Sequence, residues 1–260
     1  MKLEKRIKKT ICKFYHLYLY KIKGRKVKST IRSYLDAINF ILKTGGSWKS
    51  LEDTKWCLNI DYSTIQKFHM KLSRNNIYEM AYEELFKDYF KNKDFKTFYL
   101  DSTMIRNAYG KETIGPNHYD RYKSGSKISS IVDILGVPIN KPLLYQSNLH
   151  DVNTIEETID NLLIEPKNIT IVADAGYIDF EIKNKLKETK NINLIVQDKS
   201  NSIIKNTRIE KEKLKDRHIV ENFYSWLKKN KRIPIRMDSL DVSYMGFIYL
   251  AYLTILHNKI

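Results

Sequence analysis

The segment Ile169–Asp174 reads ITIVAD, an apolar run that enters an aspartate, and Phe95–Asp101 (FKTFYLD) has the same form. Short apolar runs rich in β-branched and aromatic residues predict buried β-strands. Open α/β sheets bind their ligands just outside the carboxyl ends of their strands. We therefore expect Asp101 and Asp174 to end two adjacent strands and to face each other at one edge of a sheet.

The rest of the chain beyond residue 91 alternates strand and helix signals. The predicted elements are a hairpin pair at Lys127–Leu135 and Val137–Gln146, helices at Asp151–Leu163 and Phe180–Thr189, and a strand at Asn193–Val196. Gly136 supplies the hairpin turn, and Asp151 is the expected N-cap of its helix. An early hairpin followed by this alternation predicts a mixed sheet with helices on both faces.

Residues 1–90 show helical patterns, and we expect them to form a region separate from residues 91–260. Apolar residues at helical spacing predict a helix over Thr30–Leu42, which Gly45-Gly46 ends. A second helix is predicted from Ser63, with Gln66 completing a capping box. A glycine break between two helices is typical of a helix-turn-helix, although helical hairpins with basic faces are also common. The polar side of the second helix offers Gln66, Lys67, Lys71 and Arg74.

The composition favours a polyanionic partner. The formal net charge is +16, and Lys2–Lys28 holds eleven basic residues against one acid, Glu4. Such an excess favours nucleic acid or an anionic membrane, although abundant Lys, Asn and Ile are also what AT-rich coding produces. The opening segment is either a solvated arm or one that contacts phosphates, with Tyr15, Tyr18 and Tyr20 available for stacking.

Several classes of protein are excluded or disfavoured. A hydrophobic content of 42% is enough for a packed core and argues against wholesale disorder. Cys12 and Cys57 form no CxxC pair, which disfavours a disulfide scaffold or a cysteine-based zinc site. No secretory signal is present, and Tyr244–Leu256 is too short to span a bilayer. We expect a cytoplasmic protein without a membrane partner, or a nuclear one in a eukaryotic host.

Two carboxylates at one sheet edge repel each other unless a cation lies between them, and Mg²⁺ suits such a site. Alone, Asp174 would be read as a turn residue and Asp101 as a cap. A predicted helix at Asp216–Lys229 offers a third acid, because Arg217, Glu221 and Lys228 fall within roughly 40° of one another. The alternative is an exposed Arg–Glu pair of little energetic value. Asp133 and Asp198 also follow apolar strands and compete for the site. The opposite side of this helix carries Ile219, Val220, Phe223, Trp226 and Leu227.

A set of motifs in fixed order resembles the DDE transposases of bacterial insertion sequences, most closely the insertion sequence five family. The first-acid motif is Asp101-Ser102-Thr103, the second is Ala173–Tyr177 (ADAGY), and the third is Arg217–Glu221 (RHIVE) with Lys228. A Y-(2)-R-(3)-E-(6)-K signature is present except that Leu214 stands where the tyrosine falls. The short interval between Asp174 and Glu221 resembles the compact form of the catalytic domain. The remaining matches are the loop Gly115–Arg121 with Gly125–Lys127, Val132-Asp133, Gly136–Pro138, Asn148–Asp151, Lys231–Ile233 and the helical residues 37–85.

The resemblance implies a ribonuclease-H-like mixed sheet flanked by helices and preceded by a small helical DNA-binding region. It implies that Asp101, Asp174 and Glu221 hold two Mg²⁺ ions, or Mn²⁺ in their place, and catalyse DNA cleavage and strand transfer. The implied partners are double-stranded DNA, as terminal inverted repeats and target, and a second copy of the chain in the DNA complex. Two alternatives stay open: a nuclease without strand transfer, and a non-catalytic DNA-binding descendant. The expected DNA-contacting residues are Arg121, Lys123, Lys127, Arg217, Lys228, Lys231 and Arg232, with Gln66, Lys67, Lys71 and Arg74 in the N-terminal region.

Overall fold

The computed structural model describes residues 2–19, 30–55, 60–198 and 205–260, apart from the Tyr119 side chain. These residues form two compact units. The sheet unit comprises Asn92–Met104 and Ile114–Trp226, and the helical unit comprises Met1–Lys91, Ile105–Thr113 and Leu227–Ile260. None of the helices in the described ranges is long and apolar enough to cross a membrane.

The sheet unit is built on a mixed sheet with the order β2-β3-β1-β5-β6, and β4 pairs with β3 off this path. β1 pairs with β5 and β5 with β6 in parallel, whereas β2, β3 and β4 form antiparallel pairs. All five residues of β5 are buried, which explains its uninterrupted apolar sequence. The strands are β1 (Thr97–Asn107), β2 (Gly115–Asn117), β3 (Lys123–Val132), β4 (Leu143–Gln146), β5 (Ile169–Ala173) and β6 (Ile192–Val196).

Helices of the sheet unit pack on these strands, with α5 against β3, α6 against β6, and α7 against β5 and β6. They are α5 (Ile155–Asp160), α6 (Phe180–Lys190), α7 (Arg208–Lys215) and α8 (His218–Lys228), with α8 entering the helical unit at Leu227.

Two predicted features of these helices are wrong in detail. The single helix predicted at Asp216–Lys229 begins only at His218, so Arg217 lies before its first turn. Asp151 caps no helix. It starts a short 3-10 turn, Asp151–Thr154, and its carboxylate accepts hydrogen bonds from Ser102 and Lys127.

The helical unit contains α1 (Lys5–Tyr18), α2 (Ile31–Thr44), α3 (Tyr62–Arg74), α4 (Ile77–Phe90) and α9 (Asp241–His257). α9 is apolar on all sides and packs against α3 and α4, while α1 packs against α4. The short strand β7 (Ile235–Arg236) pairs in parallel with the end of β1 at Arg106 and Asn107. Residues 227–260, which the sequence assigned with the sheet, therefore pack with the N-terminal helices.

The opening segment is not a solvated arm over the part that the structure describes. Residues 5–18 form α1, and Ile7, Ile11 and Tyr15 on its inner side are buried. Of the basic residues that suggested an arm, Lys5, Lys9 and Lys13 lie on the exposed outer side of this amphipathic helix, whereas Lys8 pairs with Asp36. Tyr20 and the rest of the predicted arm, up to residue 28, lie outside the described residues.

The start of α3 also differs from the prediction. Asp61 is the N-cap, and its Oδ1 accepts a hydrogen bond from the Ser63 backbone N–H at 2.6 Å. The predicted capping box of Ser63 and Gln66 is therefore wrong, because the aspartate two residues earlier already satisfies this helix end. The first helix agrees better: Thr30 caps α2, and Gly45 ends it at φ 71°.

Candidate functional site

Asp101 and Asp174 lie at the same level of neighbouring strands. The register of β1 and β5 pairs Thr97 with Thr170 and Tyr99 with Val172, so two residues further on Asp101 comes level with Asp174. Parallel neighbours in a sheet are about 4.8 Å apart, which places the two backbones close together. Asp174 follows the last residue of β5, as predicted. The prediction that the first strand ends at Asp101 is wrong, because β1 continues through the polar triplet Asp-Ser-Thr to Asn107.

Arg217 holds the two carboxylates together. Its Nη1 lies 3.2 Å from Asp174 Oδ1, and its Nη2 lies 4.0 Å from Asp101 Oδ2. Nη1 also donates to the Gln197 side-chain oxygen at 3.2 Å. The Arg217 side chain is only 15% exposed, and among the described residues its buried Nε has no hydrogen-bond partner. The guanidinium is therefore positioned by Nη1, which bonds both Asp174 and Gln197.

The ionised form of Asp101 is disfavoured mainly by burial. Burial raises the pKa of Asp101 to about 6, and the Asp174 and Asp151 carboxylates push it in the same direction. The Ser102 backbone N–H, which donates to Asp101 Oδ1 at 2.8 Å, and the Arg217 guanidinium oppose this shift. A buried carboxyl that one guanidinium does not fully compensate favours a further cation nearby.

A buried lysine and a third aspartate lie next to this pair. Lys127, on β3, places its Nζ 2.7 Å from Asp151 Oδ1 and 2.6 Å from the Leu149 carbonyl oxygen. The Ser102 hydroxyl donates to the same Asp151 oxygen at 2.6 Å. Because Ser102 also donates its backbone N–H to Asp101, the Lys127–Asp151 pair is connected to Asp101 through one residue.

Glu221 is exposed in the first turn of α8, one helical turn beyond Arg217. Arg217 precedes this helix, where its carbonyl accepts from the Val220 backbone N–H at 3.1 Å, so the shared helix face predicted for Arg217 and Glu221 does not follow from helical spacing. Across residues 2–19, 30–55, 60–198 and 205–260, no three His, Cys, Asp or Glu side chains are grouped so as to hold a metal ion. Convergence of Glu221 with the two aspartates thus stays a prediction.

Asp133 and Asp198, the competing acids, have other partners. Asp133 is buried, and its Oδ1 accepts from the backbone N–H groups of Leu135 and Val137 at 2.8 and 3.0 Å in the turn after β3. Asp198 Oδ2 accepts from the Asn206 backbone N–H at 2.7 Å. Both carboxylates therefore organise chain turns.

The residues predicted to contact DNA differ in how far their side chains are exposed to solvent. Arg121, Lys123, Lys231, Gln66, Lys67 and Arg74 are exposed, and Lys71, Arg217 and Lys228 are half-buried. Lys127 and Arg232 are each 2% exposed. Arg232 donates from Nε to Asp238 at 2.9 Å and from Nη1 to the Gly46 carbonyl at 2.8 Å. The expectation that Lys127 and Arg232 lie on the surface is wrong, since a sequence reports their charge but not the acid that pairs with it.

Comparison with known proteins identifies the family. The family model described as Transposase DDE domain matches residues 93–253, which is more than half of the chain. The chain belongs to the DDE transposases. Its function is DNA transposition, by cleavage of DNA strands and their transfer to a new site. No curated protein matches the sequence.

One solved structure supports the fold of this transposase, and a second shows only a weaker likeness. The cryo-EM structure of the piggyBac transposase synaptic complex with hairpin DNA is similar with a TM-score of 0.54 and 11% identity, over 98% of this chain and 72% of that chain. The crystal structure of a pre-cleavage Mos1 transpososome gives a TM-score of 0.29 and 9% identity, over 95% of this chain and 85% of that chain. The piggyBac likeness confirms the predicted ribonuclease-H-like fold.

DDE transposases depend on divalent metal ions, and the donor set of this transposase fits one. The two level aspartates, Asp101 and Asp174, offer the hard oxygen ligands that Mg²⁺ and Mn²⁺ prefer. Burial is the main cause of the raised pKa of Asp101, and a bound cation would favour the ionised form of this carboxyl.

Sequence reasoning missed three residues that shape the transposase site. Ser102 and Asp151 lie within the resemblance motifs, but the motifs give them no role. Tyr224, on α8, donates its hydroxyl to the Asp101 carbonyl at 2.6 Å and approaches the Ile128 carbonyl at 3.2 Å. The sequence carried no signal for this role, because it depends on two carbonyls that are distant along the chain.

Proposed function

We propose that this transposase belongs to the insertion sequence five group and cuts and rejoins DNA at the terminal inverted repeats of its element. The ordered motifs from Asp101-Ser102-Thr103 to Arg217–Glu221, together with the helical residues 37–85, support the assignment. The observation that carries the catalytic proposal is the level placement of Asp101 and Asp174 with the Arg217 guanidinium against both.

Asp101, Asp174 and Glu221 would hold two Mg²⁺ ions, with Mn²⁺ able to replace them. When bound, such ions make water a stronger nucleophile and neutralise charge on a phosphate. The reaction hydrolyses a phosphodiester bond to leave a 3′-hydroxyl, which then attacks a phosphate of target DNA and displaces another 3′-oxygen. Arg217 keeps the two aspartates in place, and its positive charge would stabilise a phosphate bound beside them.

The exposed cations bind the DNA backbone. In the sheet unit these are Arg121 and Lys123, and in the helical unit Lys67, Arg74 and Lys231. Gln66, Lys71 and Lys228 contribute as polar or half-buried neighbours. Contacts of this kind position DNA without reading its sequence. The active species is a homodimer on paired element ends, acting in the cytoplasm or in the nucleus of a eukaryotic host.

The test is a cleavage assay on a plasmid that carries the DNA flanking the gene. Asp101→Asn, Asp174→Asn and Glu221→Gln should each abolish Mg²⁺-dependent strand cleavage while leaving DNA binding intact. Asp198→Asn is the matched control, because Asp198 follows the neighbouring strand β6 and caps a loop. Full activity in one of the three variants would remove that residue from the site.

The same preparation separates the alternatives. Pre-cut ends incubated with a target plasmid should be joined to it, and cleavage without joining would indicate a nuclease. DNA binding without any metal-dependent cleavage would indicate a non-catalytic descendant. Inverted repeats bounded by a short direct duplication in the flanking DNA would support the insertion-sequence assignment.

A further inference from the structure

The hairpin of β2 and β3 ends in a backbone conformation that side chains normally avoid. Arg121 and Tyr122 both have positive φ, at 52° and 59°, and neither is glycine. A Cβ in this left-handed region approaches the following carbonyl, so two such residues in succession are disfavoured. The Tyr122 backbone N–H donates to the Asn117 carbonyl at 2.9 Å, which holds the turn closed. Strain of this kind persists where surrounding structure imposes it, and it is concentrated at functional sites.

The strained turn presents an aromatic ring to solvent between two cations. Tyr122 is 68% exposed, and its ring meets the His118 ring in an edge-to-face arrangement, with ring centroids 4.9 Å apart. Arg121 and Lys123 on either side are both exposed. An exposed aromatic ring flanked by cations has the composition of a nucleic-acid stacking platform, because the cations bind phosphates while the ring binds a base.

The end of the hairpin opposite its turn is held by contacts at Gly115 of β2 and Lys127 of β3, and Lys127 contacts Asp151 next to Asp101. The Ser147 hydroxyl donates to the Gly115 carbonyl at 2.6 Å at the start of β2. Four residues along β3 from Lys123, Lys127 contacts Asp151 beside the active aspartates. At about 3.3 Å per residue, the tip lies roughly 17 Å along the strand from that contact, or about five base-pair steps of DNA.

From this geometry we infer that Tyr122 stacks on an unpaired base of the DNA that the transposase acts on, at a fixed distance from the reacting phosphate. The inference rests on the proposed function and adds a contact that recognises locally unpaired DNA. Arg121 and Lys123 bind the backbone on both sides of that base. The left-handed backbone at Arg121 and Tyr122 holds the exposed ring in place for this contact.

The test measures binding of the full chain, in metal-free buffer, to two duplexes of one sequence. One duplex is fully paired, and the other carries a single bulged 2-aminopurine, whose fluorescence falls when an aromatic ring stacks on it. The wild-type chain should bind the bulged duplex roughly tenfold more tightly and quench its fluorescence. Tyr122→Phe should keep both properties. Tyr122→Ala should lose the preference and the quenching while binding the paired duplex as before.

Two further variants serve as controls. Tyr109→Ala removes a tyrosine that is also exposed, at 64%, and should leave the preference unchanged. Tyr122→Gly relieves the left-handed backbone, so it should keep or raise the melting temperature while losing the preference. Equal binding of both duplexes by the wild type, or an intact preference in Tyr122→Ala, would overturn the inference. Loss of binding to both duplexes by the wild type would instead overturn the proposed function itself.

Discussion

Two lysines on β3 should respond in opposite ways to the same substitution. Lys127 is buried against Asp151, whereas Lys123, four residues earlier on the strand, is exposed. Lys127→Met should lower stability and leave the electrostatic part of DNA binding unchanged. Lys123→Met should weaken DNA binding and leave stability unchanged. Methionine keeps much of the length of the side chain in both cases, so the ammonium group is the main difference.

The expected magnitude for Lys127→Met follows from its surroundings. Breaking a fully buried ion pair costs about 3–5 kcal/mol, because one charge remains without its partner. Asp151 is 32% exposed and keeps the Ser102 hydroxyl as a donor, so water and Ser102 offset part of this cost. The Leu149 carbonyl also loses the ammonium as its donor. We expect a loss of about 2–3 kcal/mol, which for a chain of this size lowers the melting temperature by roughly 4–12 °C.

Thermal unfolding and DNA binding across a salt series decide between the two roles. Each phosphate contact contributes about 0.9 to the slope of log affinity against log salt, so Lys123→Met should reduce the slope by about one. Lys127→Met should leave it unchanged, and adding Asp151→Asn should recover part of the lost stability. A reduced salt slope with an unchanged melting temperature in Lys127→Met would refute the pairing, because it would make Lys127 a surface phosphate contact.

Three further predictions concern packing and pH. Burial lowers the pKa of His69 to about 4, so the neutral ring stabilises the folded state fully above pH 6.5. As the pH falls towards 4, the unfolded chain binds a proton that the folded chain does not, and the free energy of unfolding drops by up to about 3 kcal/mol. Urea unfolding across this range should show a weaker dependence in His69→Gln, and parallel curves would contradict the assignment. Gly246→Ala would place a Cβ 2.1 Å from the Ser73 hydroxyl oxygen, so it should lower the free energy of unfolding in denaturant by about 1–3 kcal/mol. Adding Ser73→Gly should restore part of the lost stability, because it removes that oxygen. Trp226→Ala should lower the free energy of unfolding by about 2–3 kcal/mol in the same assay. This is less than the loss expected for a fully buried tryptophan, because the Trp226 ring is half-buried. An unchanged stability with reduced cleavage would indicate that the ring contacts DNA.

The sequence predicted most of the sheet because local pattern and burial agree there. The buried run at β5 and the helix α6 both appear where their patterns place them. Asp174 follows its strand because Asp-Ala-Gly favours a turn, and the apolar run that enters Asp101 identified this neighbouring acid as well. The parallel register that brings Asp101 level with Asp174 is a tertiary property, which neither strand encodes alone.

Three of the failures share a cause, which is that the packing or pairing partner lies far away in sequence. Lys127 looked like a DNA contact because its acid, Asp151, is 24 residues away. Asp151 looked like a helix cap for the same reason. The basic residues of α1 suggested an arm because the helix that covers its apolar side, α4, begins only at Ile77. Charge and periodicity are local properties, whereas burial depends on distant contacts.

The last helix, α9, packs against α3 and α4, although it lies far from them in sequence. The His69 Nε2–H donates a hydrogen bond at 3.0 Å to the Ser243 carbonyl, across 174 residues, and the ring stacks on Phe247 of α9. Contacts at such separation form late and slowly, because a long loop must close before they contribute. During synthesis, α3 and α4 therefore leave the ribosome with apolar surface that only α9 can cover, and a chain truncated before Asp241 keeps that surface exposed.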